Sequence, residues 1–179
     1  MKKSKKPSDL LPPLVSFVGR SNSGKTTLLT KLIPKFKELG LTVGTIKNTH
    51  HDVEFDKPGK DSWQYSQSGS DRVLVSSGRK LAVFSESDVV QPLHQLAAEW
   101  FTGFDLVISE GFKNEDCFKI EVCRQANNKS PLHKDPAYKL DGVVGDVPPT
   151  TDLPYFQFSE LDALIRWICD SLNLECSKP

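Results

Sequence analysis

The chain has 179 residues, 37% hydrophobic and 26% charged, which is enough to bury one sizeable core. Lysine and arginine number 23 against 23 acidic residues, so no global field draws the chain to nucleic acid or an anionic membrane, and any anion must be bound locally. No apolar stretch approaches the roughly 20 residues that span a bilayer, and the four lysines of Met1 to Lys6 precede no apolar segment, so the expected setting is the cytoplasm.

Residues 1–12 read as a basic, proline-interrupted tail and residues 13–175 as a single domain. Leu14 to Val18 is a mostly apolar strand stopping at Gly19. A helix is predicted from about Lys25 to Leu39, where Leu28, Leu29, Leu32, Ile33 and Phe36 recur at three- and four-residue spacing; Gly40 supplies the stop, and Pro34 predicts a kink. Leu41 to Lys47 reads as a second strand, followed by a polar segment from Asn48 to Lys60. A short helix around Asp61 to Ser68, strands near Arg72 to Ser76 and Leu81 to Ser85, and a helix from about Gln91 to Phe101 come next. Asp105 to Ser109 is an apolar strand ended by Glu110-Gly111. Phe118 to Cys123 and Gly142 to Val144 are two more, and Leu161 to Leu172 closes the pattern as a helix with Leu164, Ile165, Ile168 and Leu172 on one stripe. Strands joined by crossover helices run parallel, so the order predicts a three-layer α/β sheet, mostly parallel, with helices on both faces and some antiparallel pairing in the middle.

Cys117 and Cys123 are separated by five residues, Cys169 and Cys176 by six, and neither spacing is that of a zinc knuckle or a thioredoxin-type pair. Cys123 and Cys169 read as small core hydrophobes.

Gly19-Arg20-Ser21-Asn22-Ser23-Gly24-Lys25-Thr26 matches G-x-x-x-x-G-K-[ST] in full, between an apolar strand and a helix, the setting of a P-loop NTPase fold. The glycines let successive backbone N–H groups turn inward toward phosphate oxygens, and the helix N-terminus adds partial positive charge. Lys25 is expected on the β- and γ-phosphates and the Thr26 hydroxyl on Mg²⁺. Arg20 is expected to be solvated. Glu110 sits at the carboxyl end of its strand, where ligands bind in open α/β sheets, and is the expected carboxylate of a Mg²⁺ site, with a plain loop residue as the alternative. Asp105, at the other end, should lie far from the phosphates.

The run from Lys47 to Asp61 is dense in polar side chains. His50 and His51 are adjacent and point to opposite sides of an extended backbone, so hydrogen bonding is favoured over a shared zinc. Asp56 and Asp61 are candidates for Mg²⁺ or water positioning; Asp61 is equally a helix N-cap.

These residues resemble the molybdopterin-guanine dinucleotide biosynthesis protein B family, MobB. The resemblance rests on G-R-S-N-S-G-K-T-T-L-L at 19–29, V-G-T-I-K-N-T-H-H-D at 43–52, D-K-P-G-K-D-S at 56–62, S-G-S-D at 68–71 and D-L-V-I-S-E-G-F-K at 105–113. It implies a homodimeric, Mg²⁺-dependent GTP-binding protein with weak GTPase activity, an accessory to MobA, which transfers GMP onto molybdopterin. Carried across, the phosphate role falls on Gly19 to Thr27, the second motif on Lys47, His50, His51, Asp56, Lys60 and Asp61, and the third on Glu110 and Gly111; Lys25, Asp56 and Glu110 would act in catalysis. No N-K-x-D motif follows the later strands, so Asp146 is the candidate reader of guanine, with a turn role before Pro148 the alternative. Two other readings stand: a small-molecule kinase or ATP-dependent ligase on a related scaffold, since Lys47 could hold an anionic substrate, and a nucleotide-gated adaptor that never turns over.

Overall fold

A computed structural model of the chain describes residues 11–49, 53–87, 89–127 and 130–176. The chain forms two compact units, one from residues up to Asn48 together with Pro92 onward, the other from Thr49 to Gln91.

The larger unit holds strands β1 (Leu14–Val18), β2 (Val43–Lys47), β5 (Leu106–Glu110), β6 (Phe118–Cys123), β7 (Gly142–Gly145) and β8 (Tyr155–Gln157) in one sheet, ordered β2-β5-β1-β6-β7-β8. Every pairing in it is parallel. Alternation along β1 explains the layers. Val15 and Phe17 join Leu28, Leu32 and Phe36 of helix α1 (Lys25–Glu38) and Leu164 and Ile168 of helix α4 (Leu161–Ser171) in one core. Leu14, with Val107, packs instead on Leu93 and Ala97 of helix α3 (Leu93–Trp100), so the sheet carries helices on both faces as predicted.

The helix stripes read from periodicity are those that pack. α1 continues through Pro34 and closes on Gly40, with Gly40 N–H donating to Lys37 O and Leu41 N–H to Phe36 O, the paired bonds that terminate many helices. Among the described residues, β8, with Tyr155 and Phe156 half-buried and Gln157 exposed at the sheet edge, and a 3-10 turn at Leu132–Lys134 escape the sequence pattern. Pro12, assigned to the tail by sequence, is buried, and Pro13 O accepts a hydrogen bond from Val107 N–H.

The smaller unit consists of helix α2 (Asp61–Gln67) and an antiparallel hairpin of β3 (Arg72–Ser77) and β4 (Lys80–Ser85). Two residues, Gly78 and Arg79, make the turn, as expected for a tight hairpin.

Candidate functional site

β1, central in the sheet, delivers the loop 19–24 to the carboxyl edge and hands it to α1. Gly19 has φ 147°, and a Cβ there would stand 2.3 Å from Val122 O, so no other residue fits. Gly24, at φ 92°, is the N-cap of α1, and no side chain caps the helix, which leaves its first-turn N–H groups for an anion. Ser23 is buried and its hydroxyl has no hydrogen-bond partner. Lys25 Nζ arches back over the loop and donates to Gly19 O at 3.2 Å and Arg20 O at 2.9 Å. Burial holds its ammonium below the usual lysine pKa; Glu110 opposes that shift, and Lys113 and Lys47 reinforce it. A partly desolvated ammonium with two more nearby is a site short of negative charge.

Glu110 ends β5 in register with Phe17 of β1 on one side and Lys47 of β2 on the other. Its Oε2 accepts from Thr26 Oγ1 at 3.0 Å, and its Oε1 lies 3.6 Å from Lys47 Nζ. Two hard oxygen donors are thus joined at the first turn of α1, the donor chemistry that Mg²⁺ takes, so the residues fit that ion. Gly111 N–H donates to Phe17 O, and Ser16 Oγ donates to Gly111 O at 2.7 Å, locking the strand end that carries Glu110.

On the other side of β1, β6 ends at Cys123 and the chain turns along the loop. The Arg124 guanidinium stands 4.3 Å above the Phe158 ring, and its Nε would lie 3.0 Å from a Cβ on Gly24. Asn127 Nδ2 donates to Ser21 O at 2.8 Å. Arg20 Nε donates to Ser130 O at 3.0 Å in a solvent-exposed bond, so Arg20 is tethered as well as solvated, because β6 brings that segment alongside the loop. Beyond lies a cavity of about 300 Å³ walled by Arg124, Asn127, His133, Lys134, Asp146 and Val147 among others. Asp146, just past β7, accepts from Gln125 N–H through Oδ1 at 2.8 Å. Beneath this wall the carboxylate of Glu121, fully buried, accepts from the N–H groups of Leu132 and His133 and from His133 Nδ1 at 2.7 Å, fixing the 3-10 turn. Cys123, half-buried rather than core, has its thiol pushed up to about 11 by burial and by the Glu121 and Asp146 charges, so it stays protonated at neutral pH.

The structure therefore brings Gly19, Ser21, Asn22, Ser23, Gly24, Lys25, Thr26, Thr27, Lys47, Glu110 and Gly111 to one edge of the larger unit, with Asp146 on the cavity wall further along it. His50 and His51 lie outside the described residues. Asp56, Lys60 and Asp61 belong to the smaller unit. Lys60, not Asp61, is the N-cap of α2, and it makes no side-chain cap; Asp61 is the first residue of the helix, its charge at the positive end of the helix dipole. Sequence reasoning missed Arg124, Asn127 and Glu121, although Arg124 follows a parallel strand as Glu110 ends one.

The family model described as molybdopterin guanine dinucleotide synthesis protein B matches residues 14–146. A molybdopterin-guanine dinucleotide biosynthesis adapter protein of Escherichia coli is 34% identical over 161 residues, 88% of this chain and 92% of its own length. One of the same description from Haemophilus influenzae is 41% identical over 129 residues, 72% of each chain. The crystal structure of molybdopterin-guanine biosynthesis protein B superposes with a TM-score of 0.70 at 28% identity, covering 89% of this chain and 99% of that one.

Proposed function

Because the chain belongs to the MobB family of molybdopterin guanine dinucleotide synthesis proteins, we propose that it binds Mg²⁺·GTP on the Gly19–Thr26 loop and presents it, in the cytoplasm, to a MobA-type enzyme that attaches GMP to molybdopterin. The observation that carries this reading is the Lys25, Thr26 and Glu110 constellation: an ammonium folded over an uncapped helix N-terminus, beside a hydroxyl and a carboxylate already joined at 3.0 Å. Loop amides and Lys25 neutralise the phosphates; Thr26 and Glu110 would hold Mg²⁺, which supplies further charge neutralisation when bound.

A nucleotide anchored there runs its ribose and base over the carboxyl ends of the neighbouring strands. Arg124 lies beside the loop and Asp146 lines the 300 Å³ cavity, so the base is read at Asp146, whose carboxylate suits the N1–H and exocyclic amine of guanine. Presentation rather than hydrolysis is the main role, and phosphate release by this chain alone is slow. Two copies pair through the hairpin, a reading supported by Leu74 and Leu81, which share one face of it and are 60% and 70% exposed.

Calorimetric titration with GTP, ATP and XTP, with and without Mg²⁺, tests the reading. GTP is expected to bind tightest, and Asp146→Asn to shift the preference toward XTP; no shift would remove Asp146 from the base site. Capture of a MobA-type partner independent of GTP would remove the presentation role.

A further inference from the structure

The smaller unit has a cavity of its own, about 480 Å³, walled, among the described residues, by side chains between Val53 and Glu86. Its chemistry is the reverse of the phosphate loop's. Phe55, Trp63 and Phe84 give it aromatic walls, Glu54, Asp56 and Glu86 give it three carboxylates, and among the described residues no lysine or arginine lines it. Such walls repel a triphosphate and favour a flat ring that donates hydrogen bonds.

Asp56 makes the demand specific. Its Oδ1 accepts from Lys57 N–H at 2.8 Å and from Ser62 Oγ at 3.1 Å, which fixes the carboxylate at the mouth of α2. Its Oδ2 is shut away from solvent with no hydrogen-bond partner. A buried carboxylate oxygen without a donor is costly and calls for a partner that the chain itself does not supply. The terminal torsion of an aspartate is soft, so rotation at the expense of the two Oδ1 bonds would turn this oxygen toward a ligand in the cavity that Asp56 lines.

We propose that this cavity binds a 2-amino-4-oxopyrimidine ring, the edge common to pterins and guanine, with Asp56 accepting from its adjacent N–H groups and Trp63 and Phe84 against its faces. A ring N–H beside an exocyclic amine is the neutral donor pair that a carboxylate matches best. Assigning the ring to a pterin rests on the function proposed above; the ring class itself rests on the walls. The chain then has separate stations for the two halves of the dinucleotide its family is named for, a cationic one for the nucleotide and an acidic one for the pterin.

Titration of the full chain with pterin and, separately, with guanosine, followed by fluorescence quenching in buffer containing EDTA, tests this. Saturable pterin binding is expected, weakened about tenfold or more by Asp56→Asn and by Trp63→Leu, with thermal melts confirming that each variant is folded. Tighter binding of guanosine would keep the site and reassign its ring to the nucleotide. The site is overturned by absence of saturable binding of either ring, by affinity that neither variant alters, or by binding that EDTA removes, which would make the orphaned oxygen a cation ligand. Lys25→Ala keeps pterin binding while losing GTP. Loss of GTP binding in the wild-type chain would count against the phosphate reading alone, and loss of pterin binding with GTP binding intact against this one alone.

Discussion

The two units of this chain solve opposite problems. In the larger one Val15, Phe17, Leu32, Phe36, Ile120 and Leu164 have no exposed surface, and the core they form backs the sheet that holds the loop, Glu110 and the Asp146 wall to one edge. In the smaller one the only buried hydrophobic among the described residues is Val73, while Phe55, Tyr65, Leu74, Leu81, Val89 and Val90 are exposed. A two-stranded ribbon with one short helix is marginal by itself. The lesson is a division of labour: a densely buried, sheet-built core beneath the phosphate loop, and a thinly packed unit whose large apolar side chains stand exposed.

The contrast breaks first if truncating a large apolar side chain costs the same on both sides. Phe17→Ala should lower the unfolding free energy of a single chain by about 3–5 kcal/mol, whereas Leu81→Ala should change it by no more than about 0.5 kcal/mol; denaturant titration of both at concentrations where the chain is monomeric decides.

Next is Lys25→Ala, expected to weaken GTP about a hundredfold by calorimetry while leaving the ligand-free melting temperature unchanged or raised. The second half follows from the sign of the shift. Burial lowers the Lys25 pKa from its ordinary 10.5, so the charged form costs stability below the lowered value, and that cost disappears as pH rises toward 10.5. The wild-type chain should therefore gain stability over that window relative to Lys25→Ala, in melts recorded pH by pH.

Glu121→Gln should cost about 2 kcal/mol, since a fully buried carboxylate that organises two backbone amides and His133 is replaced by a group with one acceptor; GTP affinity should fall with it, through the tethered loop.

The smallest effect sharpens the contrast: Leu81→Lys should leave the stability of a single chain within about 0.5 kcal/mol yet shift sedimentation from dimer to monomer.

What could be read in advance follows from distance along the chain. The phosphate loop is eight consecutive residues between a strand and a helix, so motif and context stood side by side. Glu110 was legible too, because an apolar run that stops at an acid marks a strand end. Arg124, Asn127 and Glu121 were not, since they matter only because β6 lies beside β1. The bond from Asn127 to Ser21 crosses 106 residues, and no local spacing encodes it. β8 escaped because three residues after Pro154 carry no alternation. The Asp61 cap failed by one residue, the ordinary uncertainty of helix ends.

The two side-chain hydrogen bonds running between the loop and the segment after β6, Asn127 to Ser21 and Arg20 to Ser130, have a thermodynamic corollary. They splice the lips of two neighbouring compartments, so filling either one should stiffen the other, and occupancy should be cooperative by a free energy of about 1–3 kcal/mol. Pyrophosphate and a bare nucleoside, each a feeble ligand alone, should recruit one another, and severing both splices should abolish that synergy while leaving each fragment's separate affinity nearly intact.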